Sequence, residues 1–448
     1  LAARIAGVQL VDATVGPEAL HDEVVAQIWR RYQERASVGP YLPPEPSGPV
    51  DRAGASPAVA PSLIEAAAAL PTAGPAPASD IGGPLDRFVA LALSRAGGTR
   101  RRFDRRLRLG GAVANVPAIL GALDDAGVPS ARTWVAGPAH LTETGVTVVP
   151  VGPAGEPAAI VLKLPRSAAA ARSLRDQART LGVLRADDRL GDLLPLVPGV
   201  VSQGVVGDVA YLVETSLPGV PAARLVRDPI IRARVLPAAA ERIGALHHRT
   251  GESRQVEGSM IDEWIDAPIR GLRSILADRG HSGATLDALD GLADGLRTAL
   301  AGRRFSVGWI HGDYWPGNLL VSGEAASVTG IVDWDLAAPG LPALHDVVHL
   351  LIYTRRLVDG RELGDVVRSL LRTPTLDAVE RSSVDAAGWG WPTDPDGLRL
   401  AVLLAWLRHV GTFIGADGHA SNRIWLRRNV SAVLRDLAST RDWVRGQA

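Results

Sequence analysis

Between residues 130 and 215 the chain is patterned for β-strands; from residue 217 onward it is patterned for helices, interrupted once at 305–335. This division limits the fold more than any other feature. Arg132 to Ala136, Gly145 to Val151, Ala159 to Leu164, Gly199 to Val206 and Val209 to Thr215 are short apolar or alternating runs rich in β-branched residues. Gly and Pro separate them, as expected of strands joined by turns. Gly152-Pro153-Ala154-Gly155 predicts a hairpin, and Ala168 to Leu184 a single helix beside a small antiparallel sheet. After Leu217-Pro218-Gly219 the apolar period lengthens to that of a helix. Arg232 to Arg249, Ile261 to Arg279, Leu286 to Leu300, Leu344 to Thr354, Gly364 to Leu371, Leu398 to Phe413 and Asn422 to Arg445 all fit. The fold class that follows is α+β in two lobes, a sheet lobe at 130–216 and a mainly helical lobe at 217–448.

What precedes residue 130 reads differently. Residues 1–84 hold an amphipathic stretch, Glu18 to Arg35, and then a linker in which 11 of the 32 prolines fall between Val38 and Pro84. Such a composition buries too little to offset chain entropy. Residues 85–129 are helical in pattern with a basic middle at Arg100 to Arg108. The expectation is a helical, Pro-rich extension whose first part is available to a protein partner.

Charge and composition exclude several classes. The 48 basic and 48 acidic residues cancel, which argues against a nucleic-acid partner. Cysteine is absent, so disulfides, thiolate metal sites and cysteine nucleophiles are ruled out. No uninterrupted apolar run reaches the length of a membrane span, and the first residues carry no leader pattern. Of the 48 cations, 47 are Arg and one is Lys, Lys163. Where Arg has taken nearly every position, a surviving ammonium marks a site that a planar guanidinium does not fit.

The densest chemistry lies in the interruption. Trp309 to Val321 contains His311-Gly312-Asp313 and, five residues on, Asn318; Thr329 to Asp335 contains Ile331-Val332-Asp333-Trp334-Asp335. Each places a carboxylate or amide at the end of an apolar strand. Asn and Asp oxygens on adjacent strand ends suit a hard cation such as Mg²⁺, and a separate carboxylate can accept a hydroxyl proton.

These two segments, in this order and spacing, resemble the catalytic core of the aminoglycoside phosphotransferase family, which has the protein-kinase-like fold. The resemblance covers about residues 130–440. It implies ATP and Mg²⁺ as cofactors and a small-molecule hydroxyl as acceptor. It makes Asp313 the catalytic base, with His311 bracing its loop, and Asn318 and Asp333 the metal ligands. Lys163, within Ile160 to Leu164, falls where the family has its nucleotide lysine. Glu214 to Leu217 matches the hinge crossed by the adenine, where backbone groups bind the base. Asp335 and Asp346 become structural supports, and Leu246-His247 matches a pair at the end of the first large-lobe helix. A cytoplasmic location follows from the use of ATP.

Two features depart from the family. Its small-lobe helix usually carries a Glu paired with the lysine; here the alignment puts Gln177 there, with Asp176 as the alternative one residue earlier. The segment expected over the phosphates, Leu141 to Gly145, has one glycine. From Gly340 onward 14 Arg face 12 Asp and Glu, no acidic bias for a polycationic antibiotic. The expected acceptor is a sugar, glycoconjugate or amino alcohol; Trp389 and Trp391 read as core packing, with a stacking platform as the alternative, and Arg423, Arg427 and Arg428 as a solvated helix face, with an anion site as the alternative. Two other readings stand beside it: a kinase-fold binding or scaffold protein with weak catalysis, and a 3'-type aminoglycoside resistance kinase.

Overall fold

The computed structural model describes residues 115–142, 145–323, 327–388, 394–414 and 422–439. The amphipathic stretch, the Pro-rich linker, the basic run, and Trp389 and Trp391 lie outside them.

The sheet lobe opens with helix α1 (Val116–Asp125), followed by the short strands β1 (Val135–Ala136) and β2 (His140–Leu141). Strands β3 (Val146–Gly152) and β4 (Ile160–Pro165) form the expected hairpin, and helix α2 (Ala168–Arg185) begins on the side-chain cap of Ser167. Strands β5 (Val200–Val206) and β6 (Val209–Thr215) complete an antiparallel sheet in the order β1-β3-β4-β6-β5, with β2 against β3. Alternation along β4 decides which residue goes where. Ile160, Leu162 and Leu164 point to one face, where they pack with Val149 and Val151 against Val116, Ile119, Leu120 and Leu123 of α1. Val161 and Lys163 therefore point to the other face. There Val146 and Leu212 pack with Ala170, Leu174 and Ala178 of α2. The sheet is thus covered on both faces. The sequence boundary at residue 130 is corrected on this point: α1, expected in a separate extension, forms one wall of the sheet lobe because its four apolar residues have nowhere else to be buried.

The helical lobe starts after β7 (Val220–Pro221) with α3 (Pro229–Thr250), capped by Asp228. Strand β8 (Glu252–Gln255), a short helix with a π turn (Asp262–Asp266), α4 (Ala267–Asp278) and α5 (Gly283–Leu300) follow. The interruption then supplies β9 (Arg304–Ile310), β10 (Leu319–Val321), β11 (Val328–Ile331) and β12 (Ala338–Pro342). They build two three-stranded sheets, β11-β10-β7 and β12-β9-β8. Helices α6 (Leu344–Asp359), α7 (Leu363–Arg372), α8 (Ala378–Ala386), α9 (Pro395–Ile414) and α10 (Ala432–Ser439) close the lobe.

Periodicity alone does not predict helix α8. A reciprocal cap starts it: Asp377 accepts from the Glu380 amide at 2.9 Å, and Glu380 accepts from the Asp377 amide at 2.8 Å. It lies so close to α3 that a Cβ on Gly244 would stand 2.8 Å from Ala387 Cα. Helix α9 is long and apolar enough to cross a membrane, and 72% of its apolar window is buried inside the protein. Leu403, Trp406, Leu407 and Val410 make it a core helix.

Candidate active site between the lobes

The cleft is assembled from strand ends. Strand β9 delivers His311, and Gly312 turns the chain with φ +81°, where a Cβ would collide with the Leu336 carbonyl. The turn is held from behind by Asp346, wholly buried in the first turn of α6. Its Oδ2 accepts from the His311 amide at 2.7 Å and its Oδ1 from the Gly312 amide at 2.9 Å. His247, at the end of α3, adds a contact from Nε2 to Oδ2 at 3.0 Å. Burial works to raise the Asp346 carboxyl, but the His247 hydrogen bond, the nearby imidazoles and the His311 amide outweigh it and hold it below the usual carboxylate range.

His311 is fully buried, and burial keeps its imidazole neutral. Nε2–H donates to the Val332 carbonyl at 3.0 Å, while Nδ1 accepts from the Asp313 amide at 3.3 Å, so one tautomer satisfies both. The ring rests on Trp334 with centroids 4.6 Å apart. This side chain therefore ties the Asp313 turn to the Asp333 turn and does not face the cleft.

Both oxygens of Asp313 are engaged. Oδ2 accepts from the Asn318 amide nitrogen at 2.9 Å, and the same nitrogen donates to the Asp313 carbonyl at 2.9 Å. Oδ1 receives His349 Nε2 at 3.0 Å. Burial would raise the Asp313 carboxyl; the His349 bond and the imidazoles of His349, His409 and His311 prevail and lower it. At neutral pH it is a carboxylate, an acceptor of protons.

Asp333 follows β11 with φ +69°, a conformation Asp tolerates better than most residues. This backbone turn brings Asp333 Oδ1 to 3.2 Å from Lys163 Nζ across the interlobe cleft. Lys163 also lies 3.3 Å from Glu214 Oε2 on β6. Lys163 is 5% exposed and Glu214 2%, whereas the Asp333 side chain is 32% exposed. Burial alone would strip the lysine of its charge, but the two carboxylates reverse that and push its pKa up. The Glu214 carboxyl is pushed up by burial, with Lys163 pulling the other way. Asp335 accepts from Ser173 of α2 at 3.1 Å, and burial plus the Asp333 charge raise it to about 8.

The structure thus brings together Lys163, Glu214, Asp333 and Asp335 on one side and His311, Asp313, Asn318 and Asp346 on the other. Leu217, beyond β6, lies against Gly330 of β11. Gln177 is 1% exposed on α2, and its amide nitrogen has no hydrogen-bond partner. The alternative acid, Asp176, is corrected: it points outward and pairs with Arg179 at 2.9 Å. Its register on α2 turns it away from the sheet. Arg428, for which an anion site is the alternative to a solvated helix face, pairs with Glu362 at 3.3 Å.

Sequence reasoning missed the group around His349. Its ring stacks on Tyr353, with centroids 4.3 Å apart and planes 24° apart. The Tyr353 hydroxyl shares a 2.8 Å hydrogen bond with His409 Nε2. Trp315 lies 5.5 Å from Tyr353, and Phe413 lies 4.5 Å from His409. The amino-acid sequence does carry a signal for it, because Asp346, His349 and Tyr353 recur at helical spacing on α6. Asp313, His349 and His409 present donor atoms all within 4.8 Å of one another, a spacing that borders on metal ligation.

Residues 151–381 match the phosphotransferase enzyme family model, APH. Among solved structures, ADP-bound aminoglycoside phosphotransferase APH(2'')-Ib is 12% identical, over 72% of this chain and 98% of that one, with a TM-score of 0.44. APH(3'')-Id from Streptomyces rimosus, in complex with ADP and streptomycin, is 17% identical over 65% and 99% of the two chains, with a TM-score of 0.40. APH(4)-Ia, a thermostable mutant in its apo form, is 16% identical over 67% and 95%, with a TM-score of 0.42. No curated protein sequence matches the chain. The family match runs from β3 into α8 and so takes in both walls of the cleft and more than half of the residues; the chain belongs to the phosphotransferase enzyme family.

Proposed function

We propose that the chain transfers the γ-phosphate of ATP to a hydroxyl group of a small molecule, with Mg²⁺ bound between the nucleotide and the helical lobe. The observation that carries this reading is the state of Asp313. It is a half-buried carboxylate, kept ionised and oriented from two sides, beside the Asn318 amide and in the same cleft as the Asp333 carboxylate. We assign the nucleotide to the lobe 116–216 and the acceptor to the lobe from 217 onward.

Asn318 and Asp333 fit a magnesium ion chemically. The Asn318 nitrogen is committed to Asp313, so its carbonyl oxygen is the atom left for a cation, and Asp333 is a part-exposed carboxylate in the same cleft. Bound there, the ion would neutralise charge on the phosphates. Lys163 would turn its ammonium from Asp333 to phosphate oxygens. The backbone from Thr215 to Leu217 would hold the base. Asp313 accepts the proton of the acceptor hydroxyl as the new O–P bond forms and the bond from the γ-phosphorus to the β-bridging oxygen breaks. His311 and Asp346 keep the turn in place and touch neither reactant.

For the acceptor, the groups gathered around Asp313 are imidazoles and aromatic rings: His349, His409, Tyr353, Trp315 and Phe413. Such a wall stacks on and hydrogen-bonds an uncharged ring with hydroxyls, and among these described residues it adds no carboxylate to that of Asp313. A sugar or sugar-bearing acceptor is therefore favoured over an aminoglycoside. ADP release with Mg·ATP, measured over sugars, glycoconjugates, amino alcohols and aminoglycosides, tests this. Asp313→Asn should lower kcat by about 10²-fold or more with ATP affinity near wild type. Unchanged turnover in that variant would remove Asp313 as the base.

A further inference from the structure

The proposed reaction needs the nucleotide lysine held by an acid, and the helix position expected to supply one carries an amide. Gln177 is buried, and its amide nitrogen is without a partner. The acid instead comes from within the sheet. In the β4–β6 ladder Val161 stands opposite Glu214 and Lys163 opposite Leu212. Residues 161, 163, 212 and 214 therefore share one face, and Glu214 is the diagonal neighbour of Lys163. The other face is filled by Ile160, Leu162 and Leu164 against α1, so neither charged side chain has another direction to take.

We propose that Glu214 is the positioning residue for Lys163, so that the nucleotide lysine is oriented by an adjacent strand of its own sheet and not by helix α2. The inference rests on the phosphotransferase reading and adds to it. The family resemblance gives the Glu214 position a backbone role; here its side chain acts. Three observations support the role. The 3.3 Å contact lies between two groups that are both nearly excluded from water. Glu214 Oε1 has no other partner, so the carboxylate has no competing structural task. Asp333, the second acid on Lys163, is part-exposed and is the one proposed to turn to the cation. Once it does, Glu214 is the anion that stays. In protein kinases the acid sits on a helix, and helix displacement breaks the pair. Two strands hydrogen-bonded in one ladder do not separate in that way, so the lysine here is set whenever the sheet is folded.

The solitary lysine makes the test direct. Full-length chain labelled with ¹⁵N-lysine has one side-chain ammonium to observe. In wild type at neutral pH that resonance should be sharp, because the ammonium is buried and held against a carboxylate. Glu214→Gln, nearly isosteric, should broaden it or move its ¹⁵N shift at the same pH. It should also lower Mg·ATP-dependent ADP release, with water as acceptor, by about tenfold. Glu214→Asp, which keeps the charge, should restore part of both; it also carries the test if the Gln variant melts early. A wild-type resonance and rate in Glu214→Gln would overturn the assignment. A reduced rate with an unchanged resonance would too, since it would show only a structural defect. If wild type itself neither binds nor turns over Mg·ATP, the phosphotransferase reading falls and the positioning role with it.

Discussion

At the scale of single residues, Lys163, Asp313 and Asp346 are charges that burial would neutralise and that neighbours keep. Lys163 shows this most clearly, as an ammonium retained between two carboxylates. Arg serves at every other cationic position of the chain, yet in Lys163→Arg a planar five-donor group must fit a space shaped for a point charge. ADP release should fall roughly tenfold or more, and wild-type activity would return the lone lysine to an accident of composition. Asp346 gives a prediction about pH. Its carboxyl is lowered in the folded state, so it stabilises the fold above the ordinary carboxylate pKa of about 3.9 and loses that contribution as pH falls through its lower folded value. Asp346→Asn should cost about 2 kcal/mol at pH 7 by denaturant unfolding. The gap to wild type should narrow below about pH 4; a pH-independent gap would mean that the charge is not what holds the turn. Asp313, Asn318, Asp333 and Lys163 are legible in the sequence because each lies in a local run whose residue types already state a chemistry. Glu214 and His349 cannot be given their roles that way. The first depends on cross-strand register, and the second on how a helix 36 residues downstream packs against the Asp313 turn.

At the scale of elements, periodicity locates the strands of the sheet and most helices of the large lobe. It fails where burial or capping overrides pattern. Helix α8 is short, and its start is written in the Asp377–Glu380 cap more than in an apolar stripe. Helix α1 is legible as a helix but not as part of the sheet lobe, because amphipathicity says that a face is buried and not against what. Its place predicts that Ile119→Ala, which empties a fully buried position between α1 and the sheet, costs about 3 kcal/mol. Calorimetric or denaturant unfolding checks this, and a cost below about 0.5 kcal/mol would mean that α1 is not an integral layer of the lobe. Helix α2 reaches the large lobe through the Ser173–Asp335 bond, so it joins the lobes without being asked to hold the lysine.

At the scale of the whole molecule, the two-lobed division is visible in the change of apolar period near residue 217, because sheet and helix leave different repeats in a sequence. The cleft follows from that division, since the turn after β11 brings Asp333 to the sheet face of the other lobe that carries Lys163, and His311 ties the turn after β9 to it. What the division does not reveal is where the smaller lobe begins. The family match starts at residue 151, inside β3, yet the sheet is closed by a helix that ends at Asp125. A fragment trimmed to the family limits would bare Val151, Ile160, Leu162 and Leu164 as an adhesive, water-facing surface. Inheritance and self-sufficiency are marked at different points along this polypeptide, and only the second determines what a cell can release from a ribosome without its clumping.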